Sequence, residues 1–291
     1  MAFHDDLALD EQLDALDPLR HLMHQPESDD TERDLDAPSS SVLSVLPKQS
    51  RSIQNETLHL SFAHPHAHDP NEPPPIAIKL AVDASPGCGG IAWPAGEILS
   101  SYLVKRGPTY VQGRTIIELG SGTGLVGLVA GTLAGRAKDE RAKVWITDQA
   151  PLLDIMRQNV RANALEANVA VAELNWGSLI PPEIPAPDLI LAADCVYFEP
   201  AFPLLVQTLR DLVDRNAESE TEVLFCYKKR RKADKRFFGM LKKSFSWTEV
   251  MDDPDRETSN REAITLLRLI RRRPLAGSRR DDHEEEARRR I

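Results

Sequence analysis

The sequence predicts an α/β fold: a seven-stranded, mostly parallel sheet with one antiparallel strand, helices on both faces and a β-hairpin ahead of it. Three observations predict this. Five short apolar runs between residues 115 and 244 are each followed or separated by segments of helical or turn character. Two further strand-like runs, Ser246–Met251 and Ala263–Ile270, then follow with only the polar loop Asp252–Glu262 between them. A crossover helix permits parallel neighbours, whereas a short loop implies an antiparallel pair. The third observation is a glycine-rich turn, Gly120-Ser121-Gly122-Thr123-Gly124, where the first of the five runs meets its helix.

Each element has its own signal. Glu56–Phe62 and Ile76–Val82 read as the hairpin, joined by the loop of residues 63–75, AHPHAHDPNEPPP. Trp93–Leu103 reads as a helix. Thr115–Leu119 is a strand and Leu125–Ala134 its helix. Lys143–Thr147 is a strand, and Pro151–Asn163 a helix with Leu152, Ile155, Met156 and Val160 on one face and Pro151 suited to its first turn. Val169–Leu174 is a strand. Asp188–Ala193 has the unbroken apolar run of a buried parallel strand. Phe202–Val213 repeats apolar residues at i, i+3 and i+4. Glu222–Tyr227 is a strand and Lys232–Ser244 a helix.

Charge divides the chain into regions. Residues 1–50 carry 12 acidic and 3 basic side chains, which is the whole of the net charge of -9. The remaining 241 residues hold 33 of each sign. Residues 1–50 are expected to be a disordered acidic tail, with Leu9, Leu13, Leu16 and Leu19 at the spacing of a short helix. Residues 51–273 are expected to form one domain, and residues 274–291 a charged C-terminal tail. The balanced body has no global field to attract nucleic acid. Three cysteines without C-x-x-C spacing argue against a disulfide framework or a zinc site. His59, His64, His66 and His68 lack the carboxylate or thiolate that would complete a metal set. The N-terminal residues lack the basic and apolar regions of a signal peptide. The stretch Thr115–Gly135 holds Glu118 and six glycines, unlike a membrane span. A soluble, monomeric, cytoplasmic protein is expected.

The glycine turn carries the chemistry. Glycine lets a ligand approach the backbone, and the helix after Gly124 aims amide groups into that space. Asp148 ends the second strand. A carboxylate there either accepts from the hydroxyls of an adenosine ribose or caps the helix after Pro151. Both features are common to dinucleotide enzymes and methyltransferases of Rossmann-like fold. The dinucleotide fingerprint G-x-G-x-x-G/A would place Gly or Ala at position 125, which is Leu here. The spacing G-x-G-x-G and the acidic Glu118, two residues before the first glycine, fit methyltransferases better.

Four segments carry a specific resemblance. They are Ile91-Ala92-Trp93-Pro94-Ala95-Gly96, the run from Glu118 to Gly127 (ELGSGTGLVG), Leu174-Asn175-Trp176-Gly177, and Leu191-Ala192-Ala193-Asp194-Cys195-Val196-Tyr197. In this order they make residues from about 75 to 272 resemble the seven-stranded S-adenosylmethionine-dependent methyltransferases, branch of small protein-lysine methyltransferases. The similarity is greatest to fungal members that act on translation elongation factor 1-alpha. The resemblance implies S-adenosyl-L-methionine as cofactor, bordered by Trp93, Glu118, Gly120, Ser121, Gly122, Asp148, Trp176 and Ala193. Either tryptophan has an ordinary alternative as a packing residue. Asp194 and Tyr197 are the candidate catalytic residues, Asp194 to bind the lysine ammonium and Tyr197 to orient the amine. Asp194 otherwise caps the next helix or supports the cofactor.

The basic run from Tyr227 to Arg236 (YKKRRKADKR) follows the fifth strand. It fits an acidic partner, a nuclear address or a solvated face. Three competing functions are weighed. A nucleic-acid amino-methylase often has a Pro-Pro-aromatic segment where this chain reads Ala-Asp-Cys-Val-Tyr. A small-molecule methyltransferase usually needs longer covering segments. A non-catalytic binding module has no need of the intact glycine turn and Asp148.

Overall fold

The computed structural model describes residues 56–63, 73–83, 88–137, 142–216, 220–230 and 234–272. The expected acidic tail, the loop carrying His64, His66 and His68, part of the basic run and the C-terminal tail lie outside the described residues.

Among the described residues nine strands form two sheets. Strands β1 (Glu56–Phe62) and β2 (Ile76–Val82) pair antiparallel, with Phe62 opposite Ile76 and Glu56 opposite Val82. The large sheet contains β3 (Thr115–Leu119), β4 (Lys143–Asp148), β5 (Val169–Glu173), β6 (Leu189–Ala193), β7 (Glu222–Lys228), β8 (Phe245–Glu249) and β9 (Ile264–Arg271). Their order across the sheet is β5-β4-β3-β6-β7-β9-β8. The first five are parallel, and β9 runs antiparallel to both neighbours. The expected seven strands and single antiparallel member are present. The last strand in the chain is not the last in the sheet, however. The crossover from β7 leaves a gap of one strand before β8, and β9 fills it.

The helices are α1 (Pro94–Arg106), α2 (Pro108–Val111), α3 (Leu125–Arg136), α4 (Leu153–Ala162), α5 (Phe202–Asp214), α6 (Asp234–Leu241) and α7 (Arg256–Arg261). Sheet residues alternate between two cores, as the pleat requires. Ile116, Leu189, Leu191, Leu224 and Cys226 face the layer of α1, α3, α4 and the hairpin. Ile117, Ile190, Ala192, Val223 and Phe225 face α5 and α6. Helix α3 lies unusually close to the sheet, because a Cβ at Gly127 would run into Ile146 and one at Gly131 into Val169.

The hairpin docks through two amides. Asn159 on α4 and Asn163 at its C-cap stand one turn apart and behave like residues of a third strand. Ala81 N–H donates to Asn159 Oδ1 at 2.7 Å, and Asn159 Nδ2 donates to Ala81 O at 3.0 Å. Lys79 N–H donates to Asn163 Oδ1 at 2.9 Å, and Asn163 Nδ2 returns to Lys79 O at 2.7 Å. The open edge of β2 is thereby satisfied. Asn159 also donates to Thr123 O at 2.9 Å, tying the hairpin to the glycine turn. The segment expected as the polar loop Asp252–Glu262 contains α7. Its sequence RETSNR has no apolar stripe to announce a helix; it is held by Glu249, which accepts from Arg256 at 3.1 Å and Asn260 at 2.7 Å.

Candidate active site

Strand β3 has a neighbour on each side, β4 and β6, reached by connections that leave in opposite directions. Such a reversal opens a crevice at the carboxyl ends of the strands. The predicted cofactor residues belong to the segments at this crevice. Gly120, Gly122 and Gly124 have φ of +66°, +57° and +84°, so the turn leaves β3 through left-handed backbone that glycine adopts at least cost. A Cβ at Gly122 would lie 2.5 Å from the carbonyl oxygen of Gly89, in the segment ahead of Trp93.

The turn is fastened to the end of β4. Ser121 N–H donates to Thr147 O at 3.0 Å, and Thr147 N–H donates to Ser121 Oγ at 2.9 Å. The hydroxyls of Thr147 and Ser121 both donate to Glu118 O, at 2.7 and 3.1 Å. Gly122 N–H donates to Asp148 Oδ2 at 2.8 Å, while Asp148 Oδ1 accepts from Gln149 N–H at 2.7 Å. Burial pushes the Asp148 carboxyl above its ordinary range, and the two amides oppose that rise. Asp148 therefore fixes the turn, while its half-buried position leaves part of it accessible.

Glu118 has a different setting. It is 3% exposed, and its Oε2 accepts from Gly127 N–H at 2.9 Å. The carboxyl group accepts from first-turn amides of α3 from below, as a cap supplied by the strand before it. Burial raises its pKa to about 8, against the pull of the Gly127 amide. Its contacts brace the turn from beneath.

Trp176 follows β5 and lies against the turn, with Cζ2 2.8 Å from where a Gly120 Cβ would stand. Cys195 approaches the same point and donates from Sγ to Leu119 O at 3.2 Å. Gly120, Trp176 and the Ala193–Cys195 segment are thus neighbours although 75 residues separate Gly120 from Cys195. Trp93 precedes α1 and is half-buried.

The acceptor side differs from the sequence expectation in one respect. Asp194 sits on left-handed backbone, φ +58°, at the end of β6. Its carboxylate is not left free for an incoming ammonium. Arg230 grips it with both guanidinium nitrogens, Nη1 to Oδ1 at 2.7 Å and Nη2 to Oδ2 at 2.5 Å. Lys228 N–H adds a contact to Oδ1 at 3.3 Å. The capping alternative also lapses, since the 3-10 turn Glu199–Ala201 that follows has Phe198 at its N-cap position, with no side-chain cap. Tyr197 is half-buried three residues further on.

Arg230 also places its guanidinium 5.7 Å from the centre of the Trp93 ring. The basic run is thus no uniform solvated face, for Arg236 likewise pairs with Glu199 at 2.6 Å. Sequence reasoning did not single out Arg230, Asn159 or Gly89. Only Asn159 leaves a trace, a pair of asparagines one turn apart in a helix that would favour other residues. Among the described residues no group of three or more His, Cys, Asp and Glu could hold a metal ion, and no helix is long and apolar enough to cross a membrane.

Comparison with known proteins decides between the chemistries open to such a crevice. Residues 73–244 match the model of the lysine methyltransferase family. The chain belongs to that family. It is 37% identical to protein-lysine N-methyltransferase EFM6 of Saccharomyces cerevisiae over 215 residues, which cover 67% of this chain and 87% of the yeast protein. It is 38% identical over 177 residues to protein N-lysine methyltransferase METTL21A of Danio rerio, covering 59% of this chain and 75% of that protein. It is 38% identical over 130 residues to EEF1A lysine methyltransferase 3 of Mus musculus, covering 43% and 51% respectively. The chain is an S-adenosylmethionine-dependent protein-lysine methyltransferase.

The residues present fit that cofactor. The turn at Gly120–Gly124 is built on left-handed glycines, and the partly accessible Asp148 carboxylate beside it offers acceptors of the kind a pair of ribose hydroxyls needs. S-adenosylmethionine supplies an electrophilic methyl group on sulfur. The protein's task is then alignment and control of the acceptor's proton.

Proposed function

We propose that this enzyme methylates a lysine of translation elongation factor 1-alpha. In this reading Trp93, Glu118, Gly120, Ser121, Gly122, Asp148, Trp176 and Ala193 border the cofactor, while Asp194 and Tyr197 border the acceptor. Glu118 also braces the glycine turn from beneath. The observation that carries the division is the crevice at the ends of β3 and β6. Its β4 side is lined by a turn and a ribose-compatible carboxylate, and its β7 side by a second, separate polar group at Asp194.

The substrate reading is supported by the resemblance to the fungal enzymes and by the name of the mouse relative, which specifies EEF1A. The balanced charge of residues 51–291 supports a protein acceptor over a nucleic acid. We take residues 51–273 as the catalytic domain, acting as a monomer in the cytoplasm.

A lysine amine has an ordinary pKa of about 10.4 and reaches the enzyme as ammonium. It must shed its proton before its lone pair can attack. Burial against the Asp194 and Tyr197 segment favours the neutral amine, because desolvation disfavours the charged form. The proton leaves to solvent, and in this reading Tyr197 orients the amine. Incubation of purified, unmethylated elongation factor 1-alpha with the enzyme and radiolabelled S-adenosylmethionine tests the reading. The expected result is label on a lysine side chain. Absence of label from the elongation factor would overturn the substrate reading, and label entering RNA but no protein of a cell extract would overturn the protein-lysine reading.

A further inference from the structure

We infer that Arg230 is a positioning residue that cancels the charge of Asp194, so that the acceptor lysine is not trapped as ammonium. The inference rests on the proposed placement of the acceptor beside Asp194.

The geometry makes Arg230 a poor candidate for a surface cation. Its side chain is 6% exposed and that of Asp194 is 3% exposed. The two guanidinium nitrogens meet the two carboxylate oxygens, the bidentate arrangement that Arg forms and Lys cannot reproduce. Arg230 is further fixed by Nη1 donating to Lys228 O at 3.3 Å and by its own N–H donating to Asp234 Oδ2 at 3.0 Å. The same guanidinium stands over Trp93, so one side chain joins the end of β6, the segment after β7 and the segment ahead of α1.

Electrostatics supply the consequence. An anionic carboxylate beside a lysine favours its charged form and holds the proton. That opposes the reaction, since only the neutral amine attacks. A carboxylate already paired with Arg230 presents no net charge. It retains a polar, oriented surface without raising the lysine pKa. The other groups around the pair do not alter this balance at neutral pH. Cys195 on β6's continuation and Cys226 on β7 are buried thiols whose pKa values are pushed well up, and Tyr227 is raised by burial. Asp234 faces the Arg230 backbone from α6, and Lys228 and Tyr197 flank the pair along the chain. Asp148 and Glu118 stand on the cofactor side beyond Cys195, and Asp253 beyond Cys226.

The test is the pH dependence of kcat at saturating donor, on purified elongation factor 1-alpha, for wild type, Arg230→Met, Arg230→Lys and the double variant Arg230→Met with Asp194→Asn. Arg230→Met leaves a bare carboxylate and is expected to move the profile to higher pH by about one unit or more. Arg230→Lys keeps the charge and is expected to stay near wild type. The double variant removes both charges and is expected to return to the wild-type position, whatever its absolute rate. Four profiles at one position would overturn the inference and leave the pair a brace. An equal shift in Arg230→Lys and Arg230→Met would overturn it too, because geometry and not charge would then govern. If the wild type labels protein of a cell extract but not the elongation factor, only the substrate reading fails, and the series is read on extract protein. A wild type that labels no protein overturns both.

Discussion

The two sides of the crevice are built by different means. On the β4 side, several hydrogen bonds, each between a backbone group and a side chain, hold the glycine turn to the end of β4 and to Asn159 of α4. On the β7 side, one buried ion pair joins two side chains. The first arrangement is distributed over many bonds to the backbone. The second places its weight on two side chains, so that loss of one leaves the other charged and buried. The cofactor side should therefore fail by steric intrusion, and the acceptor side by charge imbalance.

The largest expected effect on cofactor affinity is steric. Gly122→Val adds a Cβ at φ +57° that would meet the Gly89 carbonyl oxygen, a backbone atom that cannot rotate away. Affinity for S-adenosylmethionine, measured by calorimetry, is expected to fall by about 100-fold or more. Next is Asp194→Ala, which strands the buried Arg230. Breaking such a pair costs about 3–5 kcal/mol, and thermal melting should register it, while a bare guanidinium faces the acceptor. Wild-type stability in this variant would show that the pair is not buried in solution. Asp148→Ala should weaken cofactor binding by about 1–3 kcal/mol, the scale for unpaired polar partners, with Gly122 N–H left unsatisfied. Detectable NAD binding to the wild type would contradict the assignment of Asp148 to an S-adenosylmethionine site.

A subtler effect separates brace from ligand contact. Glu118 has its folded pKa raised from about 4.5 to about 8. A raised acid pKa means the folded state binds the proton more tightly than the unfolded chain. Its contribution is complete below pH 4.5 and is lost as pH rises through about 8. Unfolding free energies of wild type from denaturant titration should therefore fall across that window by more than those of Glu118→Gln, by about 1 kcal/mol or more. Parallel curves would show that Glu118 is ionised throughout. The smallest effect expected is that of deleting residues 1–50. Their composition and their sole share of the net charge suggest no part in the crevice, so cofactor affinity should stay within about twofold.

The same division governs what could be read from sequence. The glycine turn, Asp148 and the alternating strands announce themselves through residues that are close in the chain. The hairpin was legible from two short runs and a proline loop between them. The partnership of Asp194 was not, because Arg230 stands among Lys228, Lys229, Arg231 and Lys232, and nothing in that run marks which cation turns inward. The place of β9 between β7 and β8 was equally hidden, since strand order is a long-range property that hydrophobic pattern does not encode. Helix α7 lacked the apolar periodicity by which helices are recognised. The bond from Gly127 to Glu118 was not legible, because nothing in the sequence says which amide a buried carboxyl meets.

Steady-state transfer by Asp148→Ala and Asp194→Ala, measured while S-adenosylmethionine is raised to saturation, tests the division of the crevice most directly. Asp148→Ala is expected to regain most of its kcat as cofactor rises, because its defect is one of binding. Asp194→Ala is expected to remain at least about 100-fold slow at every cofactor concentration while its affinity for cofactor stays within about fivefold of wild type. Rescue of Asp194→Ala by excess cofactor would place Asp194 on the cofactor side and contradict the account.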